Sequence, residues 1–303
     1  MSQDRETSLT RAAELIEAAD GLLVTAGAGM GIDSGLPDFR GPGGFWRVYP
    51  ALESLGLNFM DVASPAAFDS LPRAAWGFYG DRLGLYRQTV PHEGFRILQR
   101  LAASKPHGLR VFTSNVDGHF QKAGVPPEHV VECHGSIHSL QCLHRCRREW
   151  WPSDDLVPNV DESRCEWLGP LPECPACGAL ARPNILMFGD YGWIDTPYAA
   201  RKTSLQAWLC GTERLVVVEI GAGTAIPSVR LFGEAAGRPI IRVNPGESAG
   251  REGFDVSLPM GALTALRELE RRLAAASMPG FASPWVAVQH GACGRTADGH
   301  PRL

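Results

Sequence analysis

Leu22-Leu23-Val24-Thr25-Ala26 runs directly into Gly27-Ala28-Gly29-Met30-Gly31-Ile32-Asp33-Ser34-Gly35-Leu36-Pro37-Asp38-Phe39-Arg40-Gly41. The first five residues read as a short buried strand. A glycine turn follows, and a helix is expected to start after Gly31. Strand, glycine turn and helix open a nucleotide-binding βα unit. Gly27-x-Gly29 lets the backbone approach a phosphate, and a helix N-terminus favours its charge. The run departs from G-x-G-x-x-G, because Ile32 stands three residues after Gly29. A plain tight turn would use the same glycines, which reach positive φ without a steric penalty.

Upstream, Leu9, Ala12, Ala13, Leu15, Ile16 and Ala19 form a helical stripe over about 9–19, with Thr7 or Ser8 as cap and Gly21 as stop. Downstream, strands are expected at 110–113, 130–132, 215–220 and 239–243, and helices at about 73–87, 92–103, 198–209 and 262–275. This alternation predicts an α/β fold: a Rossmann-like, mainly parallel sheet with helices on both faces. Two segments interrupt it: a helical insertion at about 41–91, and a cysteine-rich module at about 137–182. One domain over 1–275 is expected, with its core at about 8–40, 92–136 and 183–275. Residues 276–303 lack a period and read as a partly disordered tail.

The 303 residues suffice for one large α/β domain with insertions. A net charge of −4 and pI of about 6.1 make nucleic acid an unfavoured partner. The N-terminus carries no signal-peptide core, and no run approaches about 18 apolar residues, so no membrane span is expected. Eight cysteines without a secretion signal point to a cytoplasmic protein rather than a disulfide framework.

Thr113-Ser114-Asn115-Val116-Asp117 ends a strand, where open α/β sheets hold ligands. An Asx turn or cap is the competing use of Asn115 and Asp117. Cys133-His134-Gly135 ends another strand. His134 suits general-base work because imidazole titrates near neutrality; a nucleophilic Cys133 beside it is the minority alternative. Cys142-x3-Cys146 and Cys174-x2-Cys177, 27 residues apart, suit a closed tetrahedral zinc site. His138, His144 and Cys165 are nearby competitors, and a redox Cys-Pro-Ala-Cys is the other reading.

The run from Gly27 to Gly41 resembles the sirtuin signature, close to GAGxSxxSGIPDFRG. Gly31 stands where that family usually has serine. Ser114-Asn115-Val116-Asp117 resembles its TQNxD motif, with Ser114 for glutamine, and His134-Gly135 resembles its catalytic histidine. The resemblance spans about residues 20–245. It implies an NAD-dependent protein lysine deacylase with a four-cysteine zinc module. Implied NAD contacts are Gly27, Ala28, Gly29, Asp38, Phe39, Arg40, Ser114, Asn115, Asp117, Gly221 and Asn244. Phe39 suits shielding a reacting ribose from water, and Arg40 suits pairing with a phosphate.

On the substrate side, Met187-Phe188-Gly189-Asp190 resembles the family's strand ending Phe-Gly-Glu. An acylated-lysine protein would add there as a strand. Tyr79-x-x-Arg82 has the spacing of sirtuins that prefer acidic acyl groups, and Arg82 is able to bind a carboxylate bidentately. The implied reaction yields nicotinamide, free lysine and O-acyl-ADP-ribose. Protein mono-ADP-ribosyl transfer or NAD hydrolysis on the same fold is the nearest rival, and a non-catalytic NAD-binding module is the second.

Overall fold

The structure is a computed structural model that describes residues 2–37 and 47–276. In chain order its strands are β1 (Gly21–Ala26), β2 (Gly108–Thr113), β3 (Val130–Glu132), β4 (Gly135–Cys142), β5 (Trp150–Pro152), β6 (Val160–Asp161), β7 (Glu166–Trp167), β8 (Ala181–Ile185), β9 (Leu215–Ile220), β10 (Ile240–Val243) and β11 (Val256–Leu258). Six of them form one sheet in the order β11-β10-β9-β1-β2-β3, every pair parallel. This is the doubly wound arrangement, and the winding reverses between β1 and β9.

All six residues of β1 and of β9 are buried, as expected where helices cover both faces. Leu22, Val24 and Ala26 join one core with Leu9 and Ile16 of the first helix and Leu266 and Leu269 of the last. Leu23 points to the other face, with Leu205, Val217 and Phe232. There Phe112 stacks on Phe232 at 3.7 Å. Each fully buried leucine contributes about 1.5–3 kcal/mol.

A second lobe joins the two interrupting segments. Helix Pro72–Gln88 packs on β6 and β7 of the cysteine-rich module. Gly77 makes this approach possible, since a Cβ there would lie 2.0 Å from the Cys165 carbonyl oxygen. Trp76 spans the contact and donates Nε1 to the Ala181 carbonyl at 2.9 Å. The module's own sheet is β5-β4-β8, antiparallel.

Several local expectations need correcting. The first helix spans Ser2–Ala18, beginning well before Leu9. Its charged start is tied to the last helix by Glu6–Arg272 at 2.6 Å. Gly21 begins β1 instead of ending the helix. Ala28–Ser34 is a 3₁₀ segment closed by Gly35 at φ +88°, not an α-helix start after Gly31. No helix among the described residues is long and apolar enough to cross a membrane.

Candidate active site

The sheet's switch point is built from glycine against glycine. A Cβ on Gly27 would lie 2.6 Å from the Gly221 oxygen, and one on Gly29 would lie 2.7 Å from Gly221 Cα. Gly27 and Gly29 donate their amides to Ile220 and Gly221 carbonyls at 3.0 and 3.1 Å. The two loops therefore interlock, and their backbones form the floor of the crevice. Gly221 adopts φ +61°, which side chains resist. Gly221→Ala is expected to lower stability by about 1–3 kcal/mol from backbone strain alone. A thermal melt indistinguishable from the parent would contradict this.

Beside that floor lies a cavity of about 240 Å³. β1 delivers Ala28 to it, β2 delivers Ser114, Asn115 and Asp117, the turn after β3 delivers His134, and β8 delivers Met187 and Phe188. Asn115 is braced: its Nδ2 donates to the Gly27 carbonyl at 2.9 Å, fixing the amide plane. Asp117 is buried, and its Oδ1 caps the His119 amide at 2.9 Å. His138 Nε2 donates to the Asp117 carbonyl at 2.9 Å. Burial holds the His138 ring below the usual imidazole range, so it stays a neutral donor near neutral pH. His134 is half-buried, with Nε2 3.4 Å from Ser228 Oγ. Its carbonyl accepts from Leu186 N at 2.9 Å, which ties the histidine to the strand end on the cavity wall.

That wall is held from behind by a buried ion pair. Arg182 Nη2 lies 2.8 Å from Asp190 Oδ2, with the two side chains 1% and 0% exposed. Asp190 also accepts from Gly192 N at 2.8 Å, and Arg182 Nη1 donates to the Ile185 carbonyl at 3.1 Å. Burial lowers the Arg182 pKa, and the Asp190 carboxylate opposes that shift. Asp190→Ala would strand a buried guanidinium, and a loss of about 3–5 kcal/mol is expected by denaturant titration. A midpoint matching the parent's would show that the pair is dispensable.

Tyr79 and Arg82 reach the same cavity from helix Pro72–Gln88. Arg82 Nε and Nη2 donate to the Tyr86 hydroxyl at 2.9 and 2.6 Å. Burial works against its charge, but the Tyr86, Tyr49 and Tyr79 hydroxyls outweigh it and raise the pKa. Neighbouring Asp81 instead accepts from the Tyr49 hydroxyl at 2.7 Å.

Although 27 residues separate the two cysteine pairs, the Cys142, Cys146, Cys174 and Cys177 sulfurs all lie within 4.8 Å of one another. Cys142–Cys177 and Cys146–Cys174 are 3.8 and 3.6 Å apart. Four thiolates about 2.3 Å from a tetrahedral zinc sit about 3.8 Å apart, so the donor set and its spacing fit this metal. Burial pushes the Cys174 thiol up, but the Ala176 and Cys177 amides and neighbouring thiols outweigh it and bring it down to about 7. The competitors His138, His144 and Cys165 stand outside this cluster. Burial pushes the Cys165 thiol up to about 12.

Residues 27–211 match the model of the Sir2 family. The chain belongs to the Sir2 family. It is 31% identical over 264 residues to NAD-dependent protein deacylase 1 of Pseudomonas aeruginosa, covering 86% of this chain and 96% of that one. The NAD-dependent protein deacylase of Aeropyrum pernix is 30% identical, with 82% and 90% covered. Among solved structures, a mutant Sir2 homologue in complex with 2'-O-acetyl ADP ribose superposes with a TM-score of 0.67 at 25% identity, covering 89% of this chain and 98% of that one.

Within this Sir2 chain, Gly31 is buried under Leu36, whose Cδ1 would lie 2.8 Å from an added Cβ. The side chain of Asn244 is engaged by its own loop: Nδ2 donates to the Ala222 carbonyl, and Oδ1 accepts from Gly246 and Glu247 amides, each at 3.0 Å. Gly189 forms the turn after Phe188 at φ +65°. Asp38, Phe39 and Arg40 lie outside the described residues, as do the positions after Ala276. Phe59, Ala63 and Ile226 also line the cavity, and no motif in the sequence singled them out. The Arg182–Asp190 brace was equally invisible, because eight residues of spacing carry no pairing signal.

Proposed function

We propose that this chain removes acyl groups from protein lysine side chains in an NAD-dependent reaction. One observation carries the reading: Ser114, Asn115, Asp117 and His134 share a single cavity with Met187, Phe188, Tyr79 and Arg82. A dinucleotide suits the crevice at the switch point, the usual ligand position in doubly wound sheets. NAD supplies a ribose carbon made electrophilic by departure of nicotinamide, and the acyl oxygen of the modified lysine takes its place there. Asn115 orients the ribose through an amide held by Gly27, and Asp117 receives the nicotinamide amide. His134 Nε2 takes the proton of a ribose hydroxyl. The peptide adds along Met187–Gly189 as a strand, and Met187 and Phe188 wall the acyl channel. Zinc on the four cysteines is structural, because a closed set of four thiolates leaves no open position for chemistry.

Arg82 and Tyr79 extend the reading to the acyl group. A permanently charged fork in the cavity lining favours a carboxylate-bearing chain such as succinyl. Arg82→Met is expected to cut kcat/KM for succinyl-lysine peptide at least about tenfold, while acetyl-lysine turnover changes little. Equal losses on both peptides would remove Arg82 from acyl selection. None of the seven described cysteines is disulfide-bonded, which supports a reducing, cytoplasmic setting. Residues 1–275 act as one catalytic domain in this reading.

A further inference from the structure

A second cavity, of about 250 Å³, shares no lining residue with the first. It lies against Gly135, the residue after His134. Two polar atoms of its lining are buried and have no hydrogen-bond partner among the described residues: Glu132 Oε1 and Trp193 Nε1. Glu132 is 6% exposed. Its other oxygen accepts from Arg201 Nη1 at 3.1 Å. Burial pushes the Glu132 carboxyl up to about 7, against the pull of Arg201 and of the nearby Gln121 and Ser136 side chains. The Trp193 indole N–H is held close to Gly135, where a Cβ would lie 3.1 Å from it. Trp193 and Tyr198 stand 5.7 Å apart, and Trp150 adds a third aromatic wall.

A buried acceptor and a buried donor each carry a desolvation cost that a bound partner removes. We infer that this cavity is a second ligand site, for a small planar carboxamide. The amide N–H donates to Glu132 Oε1, the amide oxygen accepts from Trp193 Nε1, and the ring lies among Trp150, Trp193 and Tyr198. One group offering donor and acceptor side by side matches both atoms. At pH values well above 7, where Glu132 is ionised, a carboxylate would face an acceptor with no proton to give. An ammonium ion would leave the indole N–H unmatched and meet Arg201. At about 250 Å³ the cavity has room for a single aromatic ring with its amide. Nicotinamide, the product of the proposed reaction, has this chemistry, and so does any aryl amide. Only the nicotinamide case rests on the deacylase reading.

The test is an NMR titration of the full chain, following the ¹⁵N-labelled indole N–H signals, with Trp193 assigned through Trp193→Phe. Benzamide, nicotinamide and benzoate serve as probes at a pH well above 7, where Glu132 is ionised. A Trp193 shift with either amide and not with benzoate is expected, and the tighter amide identifies the source. The same shift should persist in Asn115→Ala, because Asn115 lines the first cavity and not the second. A Trp193 signal unmoved by both amides at millimolar concentration, an equal response to benzoate, or a response lost in Asn115→Ala would overturn the assignment.

Discussion

His134→Ala is expected to lower deacylation by about 10²–10⁴-fold, the contribution typical of a positioned general base. Among the described residues, the histidine is the only imidazole lining the first cavity. His138 is committed to the Asp117 carbonyl, and His92 bridges the Met30 carbonyl and the Gly94 amide. Neither can move in as a substitute base. The structural cost of the substitution should be small, because the bond joining this segment to Leu186 runs through the backbone and survives it. Half-exposed side chains also carry little packing energy, so melting should stay near the parent's. Steady-state kinetics beside a thermal melt checks both halves. A variant retaining most of its kcat would assign the proton transfer elsewhere, and one that fails to fold would make His134 a structural residue.

Removing the metal is expected to have the larger effect on the fold. The module's sheet has three short strands, and Trp150, Val157 and Leu168 remain exposed on the module. So small an apolar core rarely stands alone. Structural zinc contributes about 10–16 kcal/mol of apparent binding energy, comparable to the whole stability of an ordinary domain. Damage would also reach the site, since β8 begins four residues after Cys177 and ends at Ile185, beside the substrate wall. Cys174→Ser, or treatment with a strong chelator, should lower the melting temperature sharply and abolish activity together. Metal analysis should return one zinc per chain in the parent. A chain without zinc that melts and turns over unchanged would remove the metal from the structure.

The main sheet was legible because its strands are short apolar runs between glycines, and 130–132 and 215–220 appear at their expected bounds. β11 and the helix Ser228–Ala235 were not, because three residues at a sheet edge and eight after Pro227 carry too little period to register. The glycine loop misled in one respect. Its residues form a 3₁₀ turn because Gly29 and Met30 hydrogen-bond to Gly221 and Gly27, and that partner strand lies nearly 200 residues away in sequence. Asn244 was placed at the right strand end, but only the structure reveals that its amide braces its own loop. Arg82 was singled out by the Tyr79-x-x-Arg82 resemblance, whereas its engagement with Tyr86 and the diversion of Asp81 to Tyr49 depend on packing across helices.

The most direct measurement is mass spectrometry of the purified protein incubated with NAD and an acyl-lysine peptide. Loss of the acyl group with matching formation of nicotinamide and O-acyl-ADP-ribose is the expected result. Nicotinamide release with the peptide still acylated, or with ADP-ribose attached to protein, would contradict deacylation and assign the site to hydrolysis or transfer.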